Sequence, residues 1–470
     1  MSHRYDVAIV GAGTAGLSAM REVKKQTGNF ILINAGPYGT TCARVGCMPS
    51  KVLIETANAF HRRKILPDFG VRGAENLEMD ISAALSRVRR LRDGFVAGAL
   101  KATENMDDRV LSGKAVFTAP DVLSVDGHVV HAKRIIIAAG STPFVPEAWK
   151  HLGDRVITTD DLFEMASLPP DMAIVGLGPI GAEMAQALSR LGINITAFGK
   201  DDGIAGLSDP AVCQSALDSL KAEFDVHIGA AAGLEAAAGE KVRIHADNKD
   251  VVVDKVVAAL GRRPNIDDMG LENLGVELDP QGIPSFDRET MQVGDLPVFI
   301  AGDVNNDHPI LHEASDEGFI AGQNAVSASF SCYRRRTPLS IVFADPNMAV
   351  AGSGFADLPE EGYVIGEMDF SGHGRALAAA TNRGLLRVYA EKESGRILGA
   401  EMCAPAGEHL AHLLSLAIGQ GLGVNDLLRM PFYHPVIEEG LRTALRRAAR
   451  QLPAGPVADL AACEGFAPGS

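Results

Sequence analysis

The sequence predicts an α/β chain, on three observations. First, residues 5–10 form a short apolar run that ends in Gly11-Ala12-Gly13-Thr14-Ala15-Gly16, with a helical pattern through Leu17, Met20 and Val23 and a second apolar run at residues 30–33 behind it. Second, the same order recurs at residues 172–198 around Gly176-Leu177-Gly178-Pro179-Ile180-Gly181. Strand, glycine turn, helix, strand is the order of a Rossmann-like dinucleotide-binding unit. Third, from about residue 337 the composition changes to a strand–turn–strand and a helix candidate at residues 408–422, which reads as a separate α+β domain. Two units imply two dinucleotides, most simply FAD and a nicotinamide cofactor, between which an electron pair can pass. A duplicated unit with one inactive site is the plainer alternative.

Bulk properties narrow the field. At 470 residues, two to four domains are expected. Six cysteines in such a chain do not make a secreted disulfide scaffold, and a reducing cytoplasm is the expected setting. No apolar run is long enough to span a membrane. A net charge of −15 argues against general nucleic-acid binding, and the basic clusters at residues 62–64, 87–92 and 334–336 read first as solvated faces.

In the first unit, Gly11 makes the tight turn, Gly13 lets the backbone approach a pyrophosphate, and Gly16 permits close helix–strand packing. An acidic residue is expected at the end of the next strand to bind ribose hydroxyls; Asn34 stands there and can still accept a hydrogen bond.

Next comes Gly39-Thr40-Thr41-Cys42-Ala43-Arg44-Val45-Gly46-Cys47-Met48-Pro49-Ser50-Lys51. Pro49 suits a first helical turn, whose N–H groups favour a thiolate. Five residues of ideal helix rise about 7.5 Å, whereas a disulfide wants Cα atoms about 4.4–6.8 Å apart. A Cys42–Cys47 bond therefore needs bent backbone, and Gly46 supplies the freedom. A redox-active pair is one reading, beside buried free cysteines or a chance spacing; no further zinc ligand stands close by.

Residues 80–105 have helical periodicity, and residues 110–138 read mostly as strands with a turn at Asp126-Gly127. The run at 135–138 ends in a small-residue turn at Gly140, followed by Ser141 and Pro143. In the second unit Gly176, Gly178 and Gly181 repeat the roles above, while the strand at 193–198 ends in Gly199-Lys200 instead of an acid. An acid there would favour NAD and a basic group would accommodate the phosphate of NADP; Lys200 permits either, and Asp201 and Asp202 oppose a strongly phosphate-selective pocket. Residues 251–260 read as one strand running into Gly261-Arg262-Arg263-Pro264-Asn265. Near the C-terminus, Pro435 forces extended backbone on His434 and starts a helix behind it, with Glu438 and Glu439 in the first turn. A glutamate there can hold the imidazole in one tautomer. No metal-ligand spacing is evident.

The stretch at 39–51 resembles the active-site motif of the flavoprotein pyridine nucleotide–disulfide oxidoreductases, G-G-T-C-x-x-x-G-C-x-P-[ST]-K, and within that group is most similar to the dihydrolipoamide dehydrogenases. Thr40 departs from the usual second glycine, and Ala43-Arg44 from the usual Leu-Asn. Gly140 resembles the turn closing the flavin half, residues 261–265 the junction G-R-x-P-N, and residues 298–303 the second flavin segment. Residues 434–439 resemble H-P-T-x-x-E, with Val436 replacing Thr.

The resemblance implies a redox disulfide between Cys42, the exposed interchange thiol, and Cys47, nearer the flavin. It implies His434 as base, supplied across a homodimer, with Glu439 rather than Glu438 as its partner. Lys51 would pair with Glu183 beside the flavin. FAD would be held by Gly11, Gly13, Gly16, Asn34, Thr41, Lys51, Gly140 and Asp303. NAD, with NADP not excluded, would be held by Gly176, Gly178, Gly181, Lys200 and Gly261. The implied domains are FAD-binding (1–148), NAD(P)-binding (149–265), a second FAD or central part (266–336) and a dimerisation domain (337–470). The implied reaction is oxidation of dihydrolipoyl groups on a carrier protein, in the cytoplasm. An NADPH-dependent reductase of the glutathione type is the alternative. A mercuric reductase is disfavoured, because Cys463 stands without the C-terminal cysteine pair of that enzyme.

Overall fold

The structure is a computed structural model that describes residues 4–104, 106, 109–201, 203–453, 455 and 459–460. Asp202 and Cys463 lie outside the described residues.

Among the described residues the first sheet centres on Arg4–Val10, which pairs in parallel with Phe30–Asn34 on one side and His128–Ile137 on the other. The long strand His128–Ile137 serves two neighbours. Its first half is antiparallel to Val122–Val125, and its last residues are parallel to Val298–Ile300. The chain therefore returns to this sheet after the second unit is complete. Ile135, Ile136, Ile137, Val298, Phe299 and Ile300 are fully buried, as expected of a strand pair covered on both faces.

The second sheet is all parallel, in the order Asp225–His227, Asn194–Phe198, Asp171–Val175, Lys255–Ala258, Val156–Ile157. The chain enters and leaves it through a two-stranded ribbon in which Ser141–Pro143 pairs with Arg262–Pro264. The apolar run at 251–260 is not one strand. Lys249–Val253 belongs to a small antiparallel sheet and Lys255–Ala258 to the parallel one. Asp254, paired with Lys241, stands at the corner between them. Continuous hydrophobicity cannot register a change of sheet, because both strands are buried on alternate or both faces.

The C-terminal unit is a five-stranded antiparallel sheet, ordered Leu339–Val342, Asn347–Gly352, Ile397–Ala404, Leu385–Glu391, Tyr363–Asp369. The helices Gly407–Gly419 and Glu439–Ala449 share its core through Leu410, Leu414, Leu441 and Leu445. The helix expected directly behind Pro435 begins four residues later, at Glu439. Residues 434–438 make turns instead, so Glu438 is the N-cap and Glu439 the first helical residue.

One packing relation positions everything that follows. The helix Cys47–His61 buries Leu53, Ile54 and Ala57 in a core shared with Ala182, Met184, Ala185 and Leu188 of Pro179–Arg190. Each fully buried leucine contributes about 1.5–3 kcal/mol, so the helix carrying the cysteine motif is fastened to the helix of the second glycine turn.

Candidate active site

The cysteine motif folds as two helices broken at a glycine. Thr41–Arg44 is a single turn, and Cys47–His61 starts after Gly46. A Cβ on Gly46 would lie 3.1 Å from the Thr41 carbonyl oxygen and 3.2 Å from the Cys42 Cα. The glycine thus lets the second helix start against the backbone of the first, which an unbroken helix could not do.

Both cysteines are thiols in this structure. The two thiols are neighbours, and hydrogen-bond coupling between them dominates the titration of both. That coupling pushes the Cys42 thiol well above its ordinary range, with burial adding to the rise. The same coupling pulls Cys47 down to about 7 against the opposing effect of burial, and the Lys51 ammonium helps. The coupling thus favours the thiolate at Cys47 over that at Cys42. Cys47 is the exposed member and Cys42 is half-buried, since Cys42 lies in the short turn that Gly46 packs against while Cys47 opens the next helix.

Lys51, one turn along, places its ammonium 2.9 Å from both carboxylate oxygens of Glu183 and 4.7 Å from the centre of the Phe343 ring. Glu183 is buried, two residues beyond Gly181, and also accepts the Phe343 backbone N–H at 2.9 Å. One carboxylate thus ties the cysteine helix, the second glycine turn and the start of the C-terminal unit together. The resemblance implied the lysine–glutamate pair; the part of Phe343 had no signal, because a backbone N–H leaves none in the sequence.

The two glycine turns are near copies. A Cβ on Gly11 would lie 2.1 Å from the Ala138 carbonyl oxygen, and on Gly176 2.2 Å from that of Ala259; both have positive φ. A Cβ on Gly16 or Gly181 would collide with the carbonyl of the first glycine of its own turn, at 1.9 and 1.8 Å. The middle glycines, Gly13 and Gly178, face open space and cap helices with no side-chain cap. Free first-turn N–H groups beside an unobstructed backbone are what a pyrophosphate requires, so the residues present fit two dinucleotides.

Other candidates divide into those with partners and those without. Asn34 Oδ1 accepts the Ala12 N–H at 3.1 Å and its amide donates to the Gly36 carbonyl at 2.5 Å, so it braces the first turn. The Asp303 carboxylate accepts from the Ser141 hydroxyl at 2.8 Å. Gly140 and Gly261 have positive φ with open space where a side chain would be, and Thr41 is exposed at the start of the short helix. Lys200 is exposed just beyond Asn194–Phe198, beside the buried Gly199.

His434 Nδ1 lies 3.1 and 3.2 Å from the two oxygens of Glu439. Glu439 also accepts the Val436 N–H at 3.2 Å. The histidine holds the Glu439 carboxyl below its usual range. The imidazole is exposed, and among the described residues the structure records no contact between it and either cysteine of the same chain. Among the described residues no group of His, Cys, Asp and Glu is placed to hold a metal ion.

A family model described as pyridine nucleotide-disulphide oxidoreductase matches residues 5–318, and the dimerisation domain of the same family matches residues 339–445. The chain belongs to this family, and it is an oxidoreductase. Its members use a flavin and a pyridine nucleotide. The chain is 29 % identical over 457 residues to a dihydrolipoyl dehydrogenase of Thermus scotoductus, covering 95 % of this chain and 98 % of that one. It is 29 % identical to the mitochondrial dihydrolipoyl dehydrogenase of Sus scrofa, covering 93 % and 89 %. Among solved structures, LpdA from Mycobacterium tuberculosis superposes with a TM-score of 0.81 at 21 % identity over 94 % of this chain and 99 % of that one. The HOCl-induced flavoprotein disulfide reductase RclA from Escherichia coli does so with 0.79 at 22 % over 93 % and 98 %. At such identities the structural likeness speaks for the fold alone.

Proposed function

We propose that this chain is a dihydrolipoyl dehydrogenase that acts as a cytoplasmic homodimer. It oxidises dihydrolipoyl groups on a carrier protein and delivers the electrons to NAD⁺. The observation that supports it most is the cysteine pair on either side of the Gly46 break, with the Lys51–Glu183 pair one turn away. Bound FAD, seated on the Gly11–Gly16 turn with Asp303, would take up the electron pair and return it to nicotinamide as hydride.

The chain's own residues account for the thiol half of the reaction. With the pair oxidised, His434 takes a proton from one substrate thiol, and the resulting thiolate attacks Cys42. The Cys42–Cys47 bond breaks and Cys47 leaves as a thiolate. The second substrate thiol then attacks the mixed disulfide, its proton passing to the Cys42 sulfur that it releases, and the substrate disulfide closes. The substrate has lost two electrons and the cysteine pair has gained them. Cys47 is suited to leave because the Lys51 ammonium one turn along favours its thiolate. Glu439 holds the imidazole and stabilises its protonated form. The partner subunit would supply His434, consistent with its exposure and with a matched dimerisation domain.

A second reading, an NADPH-dependent disulfide reductase of the glutathione type, is favoured by Gly199-Lys200, which stands at the end of the strand where an acid would favour NAD. Steady-state turnover decides between them. Dihydrolipoamide with NAD⁺ should be turned over, and Cys47→Ser should abolish that while FAD stays bound. Activity confined to oxidised glutathione with NADPH would transfer the chain to the second reading; no turnover with either pair would reject both.

A further inference from the structure

The ribbon that joins the two dinucleotide units carries a relay. Arg262 donates through Nε to the Ser141 hydroxyl at 2.8 Å and through Nη2 to the Ser141 carbonyl at 2.5 Å. The Ser141 hydroxyl in turn donates to Asp303 Oδ2 at 2.8 Å. Ser141 is buried, only 6 % exposed. The three residues come from separate segments: the chain entering the nicotinamide unit, the chain leaving it, and the turn after Val298–Ile300.

The chemistry of the relay is directional. A hydroxyl has one proton. Arg262 has no acceptor, so its N–H must occupy an oxygen lone pair of Ser141, which leaves the serine proton for Asp303. The guanidinium thereby fixes the rotor of the hydroxyl, and the hydroxyl fixes one carboxylate oxygen. Gly302, at φ 81, sets the backbone of the turn, and its N–H is held by the buried Glu317 at 2.6 Å. Asp303 is thus restrained from both its backbone and its side chain, with Oδ1 left over for a ligand.

We propose that Ser141 is a positioning residue: held by Arg262, it aims the Asp303 carboxylate at the flavin's ribityl hydroxyls. The placement of the flavin then depends on the strand that leaves the nicotinamide unit. This rests on the reading of Asp303 as a flavin ligand.

The test is a double-mutant cycle on FAD affinity, with the flavin absorption spectrum recorded in each variant. Ser141→Ala should raise the FAD dissociation constant about tenfold, the order expected for one hydrogen bond to a charged group, and should shift the flavin bands. Ser141→Thr should restore both. In an Asp303→Ala background, Ser141→Ala should change neither, because the serine acts only through that carboxylate. Arg262→Met, which leaves Ser141 intact but frees its rotor, should give an intermediate loss. An equal loss from Ser141→Ala in both backgrounds would show a merely structural serine and overturn the proposal. If Asp303→Ala itself leaves FAD affinity unchanged, it is the flavin role of Asp303 that fails.

Discussion

The helix carrying the cysteine motif is anchored at its far end by a buried ion pair, and Arg190→Met measures what that anchor contributes. The Arg190 side chain is 1 % exposed. It donates to Glu223 at 2.7 and 2.6 Å, to Asn58 Oδ1 on the cysteine helix at 2.5 Å, and lies 3.0 Å from Asp345 Oδ2 at the edge of the C-terminal unit. Removing one partner of a buried pair costs about 3–5 kcal/mol, because the other charge is left uncompensated. Glu223 keeps Gln186 at 3.1 Å and Arg383 at 3.3 Å, so the low end, about 3 kcal/mol, is expected. The loss should depend on pH through His61, whose Nδ1 is 3.9 Å from Glu223. Burial and then the Arg190 charge hold His61 down to about 4. The unfolded chain takes up this proton near 6.5 and the native chain only near 4. Native stability therefore falls as pH drops through that window, by up to about 3 kcal/mol. Without Arg190, His61 can protonate earlier and serve as the cation for Glu223, so the gap between variant and parent should narrow below pH 6. The assay is the urea midpoint followed by the fluorescence of the single tryptophan, Trp149, buried in the unit of the second glycine turn. A deficit under about 1 kcal/mol at pH 7.5 would refute the buried-pair argument. A deficit equal at pH 5.5 and 7.5 would refute the part given to His61.

Three further outcomes follow from the site. Thr40 occupies φ 58, ψ 147, a region essentially reserved for glycine at a cost of about 1–3 kcal/mol. Its hydroxyl gives back only a 3.2 Å cap to Ala43. Thr40→Gly should therefore stabilise the protein by about 0.5–1 kcal/mol in thermal unfolding after the glycine's extra chain entropy; destabilisation would count against strain there. Gly46→Ala should push apart the backbone that brings the cysteines together, slowing closure of the Cys42–Cys47 disulfide under a defined oxidant, as read by mass spectrometry, with unchanged closure as the contrary result. In the reduced protein, the rate of thiol alkylation should rise with a midpoint near pH 7, since the thiolate is the nucleophile and Cys47 titrates there; a midpoint near that of an ordinary thiol would remove the Cys42 hydrogen bond from the account.

The glycines and cysteines were legible because their constraints are local. Gly11 is required by the Ala138 carbonyl beside it, and Gly46 by the turn just before it, so fixed spacings in the sequence carry the geometry. Glu439 was separated from Glu438 only by the resemblance to H-P-T-x-x-E, and it is Glu439 that pairs with His434 here. The anchors that set the units against one another have no such spacing. Glu401, fully buried, accepts the backbone N–H groups of Ser208, Asp209 and Phe355. Asp209, equally buried, accepts from Arg387 and from the Tyr389 hydroxyl. Most of these contacts join residues nearly two hundred positions apart, and a lone acid in a strand or before a helix looks like surface until its partners are known. The same holds for Ser141, an unremarkable residue in a small-residue turn until Arg262 and Asp303 close on it. What pattern reading recovers is therefore each unit's own chemistry. The relative placement of the units rests on buried polar groups satisfied only when the chain is folded.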